Sequence, residues 1–258
     1  MLRHAVRKFV LAILRQRRYR LLREVDIPFG FDWLADAEWA LEGEKPRNAF
    51  DVGANDGGTA ICLKRRFPDI EIDCFEPVPK TFNVLKDNVK SLTGVHCHQL
   101  ALSDRSGQFK MITSENSNTN RLAEGNVSET SQFEIVTCST IDEICRERNV
   151  GLIDLLKIDV EGKEIEVLNG AANKLSRGEV RVLLCEFEFL PNSIEPHGNF
   201  QEIYEFMTQL DYSIVSVYSE GVDRCGLRWG NVLFSRMRKR TREFYRSPYG
   251  TPILGAEW

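Results

Sequence analysis

AFDVGANDGG, residues 49–58, passes from an apolar run into a loop where Gly53, Gly57 and Gly58 stand among Asp51, Asn55 and Asp56. Glycine at 53 permits a tight backbone turn, and the pair at 57–58 leaves the start of the next segment open to a close ligand. That segment, GTAICLKRRF, reads as a helix ended by Pro68. Strand, glycine loop and helix form the opening unit of a doubly wound sheet, whose ligands bind beyond the carboxyl ends of the strands. A plain capped turn would use the same residues, so the neighbouring units decide.

Those units repeat the pattern. IEIDCF (70–75), VHCHQLAL (95–102), LIDLLKIDV (152–160) and VRVLLCEFEF (180–189) read as strands. KTFNVLKDNVKSL (80–92), STIDEICRERN (139–149), EIEVLNGAANKL (164–175) and NFQEIYEFMTQL (199–210) read as helices. The nearly unbroken apolar run LIDLLKIDV suits a parallel strand covered on both faces. GQFKMIT and QFEIVTC alternate with period two and predict an inserted β-hairpin. The polar stretch 114–131 between them is long for a plain connection and reads as a working loop or lid. YSIVSVYS and LRWGNVLFS close the chain as paired strands with no helix between them. The expected fold is α/β: an open, doubly wound, mostly parallel sheet with an inserted hairpin and N-terminal helices.

Size and charge narrow the function. With 258 residues, 42% hydrophobic and 28% charged, the chain can bury a large core. A net charge of −4 gives no strong nucleic-acid signal. Charge is uneven, however: Arg3, Arg7, Lys8, Arg15, Arg17, Arg18, Arg20 and Arg23 precede the first acid, Glu24, and a second basic run spans 236–246. The expected organisation is a basic amphipathic helix and a second short helix over 1–47, a catalytic domain over 48–235, and a basic tail over 236–258. The opening helix can bind an anionic membrane peripherally, pack on the domain, or join a second copy into a homo-oligomer. Seven scattered cysteines without a CxxC pair, and no apolar span or signal-like start, predict a cytoplasmic protein, peripheral at the inner face of the membrane if that helix binds lipid.

The loop's spacing is GxxxG, not the GxGxxG of pyrophosphate binders, and its acids suit a cation or an amine better than phosphate. Glu76, at the end of the next strand, can accept hydrogen bonds from ribose hydroxyls. Such a carboxylate serves a nicotinamide dinucleotide equally well, so an oxidoreductase is one alternative. Methylation of RNA or protein, favoured by the basic runs, is another.

DVGANDG, FEP and the block IDLLKIDVEGKEIEVLNGA, with CSTIDEI at 138–144 ahead of it, resemble the FkbM family of S-adenosylmethionine-dependent methyltransferases over roughly residues 48–235. The resemblance implies a class I methyltransferase, Rossmann-like fold and O-methylation of a hydroxyl, most often on a sugar in a glycan, a glycolipid or a glycosylated natural product. It implies that Asp51, Gly53, Asn55 and Gly57 hold the methionine portion of the cofactor and that Glu76 holds the ribose. Ala101, Leu102 and Ser103 would flank adenine, with Asp104 toward its exocyclic amine.

Methylating an alcohol calls for a base, a metal or both. Asp159 and Glu161 follow one strand and Glu186 and Glu188 end the next; if strand geometry persists, each pair points to one side. Asp159, Glu161 and Glu186 are the catalytic candidates, and Asp159 with Glu186 the candidate ligands of Mg2+ or Mn2+. A solvated strand end is the alternative for Glu186 and Glu188. His197, on a loop, is a further candidate base or a surface histidine. Glu188, Trp229 and Asn231 are candidates for binding the acceptor, with core packing and an edge-strand amide as the other readings of the last two.

Overall fold

The computed structural model describes residues 28–113, 121–122, 133–189, 198–224 and 226–236. The helix expected over 2–22, the basic tail beyond 236, His197, and all of 114–131 except 121–122 lie outside these.

Helix α1 (Trp33–Ala40) precedes β1 (Asn48–Val52), α2 (Gly58–Arg66), β2 (Glu71–Phe75), α3 (Pro79–Val89) and β3 (Val95–His98). After an inserted segment come α4 (Ile141–Glu147), β8 (Ile153–Ile158), α5 (Glu164–Asn169), α6 (Ala172–Ser176) and β9 (Val180–Glu188). Helix α7 (Phe200–Gln209), β10 (Tyr212–Asp223) and β11 (Gly226–Arg236) complete the order. The main sheet runs β10-β11-β9-β8-β1-β2-β3. Its members β9, β8, β1, β2 and β3 are mutually parallel, β11 is antiparallel to β9, and β10 is antiparallel to β11. The chain builds outward from β1 to β3, then crosses back to lay β8 on the other side of β1. That reversal is the switch point where a doubly wound sheet opens a ligand crevice.

The apolar strand runs follow from burial on both faces. Ala49, Ile72, Cys74, Leu155, Val182, Leu184 and Leu233 point to one side and pack with Ala37, Leu41, Leu63, Phe82 and Leu85 of the first three helices and their flanks. Phe50, Val52, Phe75, Leu156, Ile158, Cys185, Phe187 and Val232 point to the other and pack with Ile144, Val167, Leu175, Ile203 and Met207 of α4 to α7. Short helix α1 joins this body, its Asp36 accepting a 2.7 Å bond from the Tyr218 hydroxyl. The compact unit that holds the sheet begins at Trp33.

Two local details differ from the sequence expectation, and the expected hairpin gains a short third strand. The run 95–102 is not one strand: Ala101–Leu102 leave the main sheet as β4 and join β5 (Gly107–Ile112), β6 (Arg121–Leu122) and β7 (Phe133–Ser139) in a second sheet of order β4-β7-β5-β6. Burial explains the departure, because Ala101 packs with Val78, Met111, Val136 and Cys138 in a small core of its own. The expected hairpin forms as β5 against β7, with two-residue β6 on the outer side of β5. The expected helix over 164–175 divides at Gly170, where a Cβ would lie 2.0 Å from the Ser103 carbonyl oxygen. Among the described residues no helix is long and apolar enough to cross a membrane.

Candidate active site

Beyond Val52 the chain turns at Gly53, whose φ of +81° is a left-handed conformation that glycine adopts at little cost. A Cβ there would sit 1.8 Å from the carbonyl oxygen of Asp159, so the glycine loop and the chain leaving β8 touch backbone to backbone. The Asp159 amide donates to the Val52 carbonyl at 3.0 Å and fastens this crossing. Gly57, at φ +88°, has no room for a side chain either: Val89 and Leu85 would lie 2.8 and 2.9 Å from its Cβ. Asn55, also left-handed, donates its amide to Glu76 Oε2 at 3.1 Å, and the Val78 amide donates to Oε1 at 3.0 Å. Burial raises the Glu76 pKa, opposed by those two N–H groups. Glu76 is thus a fixed carboxylate tied to the glycine loop.

The second half of the site is a polar row across four neighbouring strands. Asp51 is the register partner of Lys157, and Glu186 that of Asn231. One residue past the paired Ile158 and Cys185 stand Asp159 and Glu186. Strand alternation puts Asp51, Lys157, Glu186 and Asn231 on the face that carries Ala49, Leu155, Leu184 and Leu233 lower down, and the bond to Lys157 draws Asp159 to it. The face is apolar through the core and polar at its carboxyl end.

Lys157 organises this row. Its ammonium lies 2.7 Å from Asp159 Oδ2 and 4.0 Å from Asp51 Oδ1. Burial alone would depress it; Asp159, Asp51 and Glu186 more than offset that and hold it above the ordinary lysine value. Lys157 is therefore a permanent cation, not a base. Asp51 is 0% exposed, and neither of its oxygens has a hydrogen-bond partner. Because Lys157 bonds to Asp159, its help to Asp51 is only partial: burial, opposed by Lys157 and reinforced by Asp159 and Asp56, pushes the Asp51 carboxyl to about 6.

Asp159, Glu161 and Glu186 offer carboxylate oxygens that all lie within 4.8 Å of one another. The strand geometry expected to align Asp159 with Glu161 does not persist: β8 ends at Ile158, and Glu161 reaches the cluster through a left-handed turn at φ +57°. Glu186 and Glu188 are buried, which removes the solvated-end reading. Glu188 stays outside the cluster, with Arg228 3.8 Å away. Asn231 is buried, donates to Glu220 Oε1 at 2.5 Å and leaves its own Oδ1 without a partner. Trp229 lies over Gly221, where a Cβ would be 2.0 Å from its indole nitrogen. Ser103 is buried and bonds to Asp104 Oδ1 at 3.3 Å, while Asp104 is exposed.

Two groups escaped the sequence reading. Lys157 was visible as a lysine near a strand end, but its register with Asp51 was not. Glu164 is 0% exposed; its Oε1 accepts the amides of Val160 and Gly162, and its Oε2 has no partner. Burial, against those amides and with help from Asp159, raises it to about 7. Only its place two residues beyond the Glu161-Gly162 turn hinted at such a role.

The Methyltransferase FkbM domain matches residues 51–214. The chain belongs to this methyltransferase family. It is an S-adenosylmethionine-dependent methyltransferase, and the nicotinamide alternative falls away. The 2-O-methyltransferase NoeI of Sinorhizobium fredii is 25% identical over 203 residues, covering 70% of this chain and 78% of that protein. The hexuronic acid methyltransferase AglP of Haloferax volcanii is 35% identical over 138 residues, 52% of this chain and 54% of its own length. Among solved structures, the METTL16 methyltransferase domain superposes with a TM-score of 0.50 at 13% identity, over 85% of this chain and 71% of that one, and shares the fold.

Proposed function

We propose that this methyltransferase acts on a hydroxyl of a sugar, in a glycan, a glycolipid or a glycosylated natural product. One observation carries the reading: Asp159, Glu161 and Glu186 converge within 4.8 Å at the switch point, beside the cation Lys157. An alcohol must lose its proton as it is methylated, and this cluster can take that proton or hold Mg2+ or Mn2+ to acidify it. The names of NoeI and AglP, a 2-O-methyltransferase and a hexuronic acid methyltransferase, support a sugar acceptor.

S-Adenosylmethionine, when bound, supplies a methyl group activated on a cationic sulfur. The residues of the first half suit it. Asp51 is a buried carboxylate without a hydrogen-bond partner, the counterpart that an ammonium or sulfonium calls for. Gly53, Asn55 and Gly57 shape the loop around it, and Glu76, held by two backbone amides, keeps lone pairs for the ribose hydroxyls. Ser103 and Asp104 border adenine. On the acceptor side Lys157 holds Asp159 in place through their 2.7 Å ion pair, while Glu188, Trp229 and Asn231 bind and orient the sugar. Asn231 contributes its unpartnered Oδ1 as an acceptor for a second hydroxyl.

Transfer of radiolabelled methyl to cell material, separated into glycan, lipid, RNA and protein, tests the reading. Label should enter the glycan or glycolipid fraction. Label confined to RNA or protein would overturn the sugar assignment and leave the methyltransferase assignment standing.

A further inference from the structure

Glu164 lies at the start of α5, where a carboxylate ordinarily caps its own helix. Its carboxylate also reaches back beyond the helix. Oε1 accepts the amides of Val160 at 3.0 Å and Gly162 at 3.2 Å, both ahead of the helix. Those amides flank Glu161 in a turn with two consecutive left-handed residues, φ +57° at Glu161 and +94° at Gly162. A non-glycine residue keeps that conformation only where its surroundings hold it, and the Glu164 bonds grip the turn on both sides.

Oε2 faces a different segment. A Cβ on Gly198 would lie 2.5 Å from it and 3.1 Å from the Glu164 Cβ, so only a glycine lets the chain returning toward α7 pass so close. The Gly198 carbonyl in turn accepts the Glu188 amide at 2.7 Å. One fully buried side chain thus stands between the turn bearing Asp159 and Glu161 and the segment fastened to the end of β9, which bears Glu186 and Glu188.

We propose that Glu164 is a positioning residue that holds these two segments in register and so sets the spacing of the carboxylates that meet the acceptor. The inference rests on the reading of Asp159, Glu161 and Glu186 as the groups that handle the acceptor hydroxyl. The cofactor half, built on Asp51, Gly53 and Glu76, has no bond to Glu164 in its supports. Loss of Glu164 should therefore act mainly on the acceptor half, with a smaller effect on the glycine loop where Gly53 packs on the Asp159 carbonyl. Gln keeps an oxygen that can accept both amides; Ala keeps none.

The test compares full-length E164A, E164Q and G198A with D159N as a reference. Hydrogen exchange should report the turn directly: the amides of 160 and 162 should exchange at least about tenfold faster in E164A and close to the wild-type rate in E164Q. S-Adenosylhomocysteine, as the binding probe, should lose no more than about threefold in affinity in all three, far less than the loss in turnover of E164A. With the label-accepting glycan fraction as substrate, E164A should lose at least about tenfold in turnover, with E164Q restoring most of it. G198A should raise the acceptor KM by several-fold. Wild-type exchange at 160 and 162 in E164A, or a loss in E164Q equal to that in E164A, would overturn the proposal. Should E164A not fold, wild-type kinetics in G198A would overturn it equally. Full activity in D159N would instead sink the reading of the carboxylates, a separate outcome.

Discussion

Replacing Asp51 with Asn removes a buried charge and leaves the side-chain volume in place. In the folded chain the Asp51 carboxyl is pushed from 3.8 to about 6, chiefly by burial. At about 1.4 kcal/mol per pKa unit, that shift corresponds to about 3 kcal/mol of folding stability. Between about pH 4 and 6 the folded chain holds a proton that the unfolded chain releases. Stability contributed by this group is therefore complete below about pH 4 and is lost as pH rises through 6. Asn does not titrate, so the variant lacks this loss. Glu164 is shifted in the same direction, but it is present in both proteins and cancels in the comparison. Urea unfolding of the cofactor-free proteins at steps from pH 4.5 to 7.5 measures the difference. D51N should gain on the wild type as pH rises, by most of about 3 kcal/mol, or on the order of 5–10 °C in Tm for a chain this long. Its affinity for S-adenosylmethionine should fall by about tenfold to a hundredfold, the worth of a charged hydrogen bond. Parallel pH profiles for the two proteins would refute the burial of Asp51 without a hydrogen-bond partner. Unchanged cofactor affinity would refute its role.

Two further substitutions probe the halves of the site. Glu76→Ala should weaken cofactor binding by about 1.5–3 kcal/mol for each charged hydrogen bond lost, read by calorimetry; undiminished affinity in a folded variant would remove Glu76 from the ribose site. Lys157→Met strands Asp51 and Asp159 without their cation and should destabilise the fold by about 3–5 kcal/mol in urea, with the D51N/K157M pair recovering part of that loss; equal stability of K157M and wild type would show that the buried ion pair is not formed.

Most of the sheet was legible because its strands are buried on both faces, which writes them as apolar runs between glycine and proline stops. Phe50, Leu156 and Leu183 face one core while Ala49, Leu155 and Leu184 face the other, so runs such as LIDLLKIDV had no polar alternation to obscure them. The glycine loop was legible because backbone geometry demands glycine at 53 and 57. The departure of Ala101–Leu102 was not, since it depends on a small core whose other members lie far along the chain. Nor was the break at Gly170, whose carbonyl accepts the Asp142 amide of α4 and whose Cα lies close to the Ser103 carbonyl. In the site, the carboxylates could be found one by one from strand ends. What joins them could not: Lys157 meets Asp51 through register across the switch point, and Glu164 works by turning back on residues before its own helix. Such contacts depend on the tertiary fold, where local pattern carries no signal.

Single-turnover methyl transfer by Asp159→Asn, with and without a chelator, tests the carboxylate cluster most directly. The variant should fold and bind S-adenosylmethionine within a few-fold of wild type, because the glycine loop packs on the Asp159 backbone and not on its side chain. Transfer to the acceptor should fall at least about tenfold, since charge is removed at nearly constant volume. If the cluster holds a metal, a chelator should abolish wild-type transfer and Mg2+ or Mn2+ should restore it; if the cluster acts as a base alone, the chelator should leave wild-type transfer unchanged. Transfer by D159N at the wild-type rate would contradict the account.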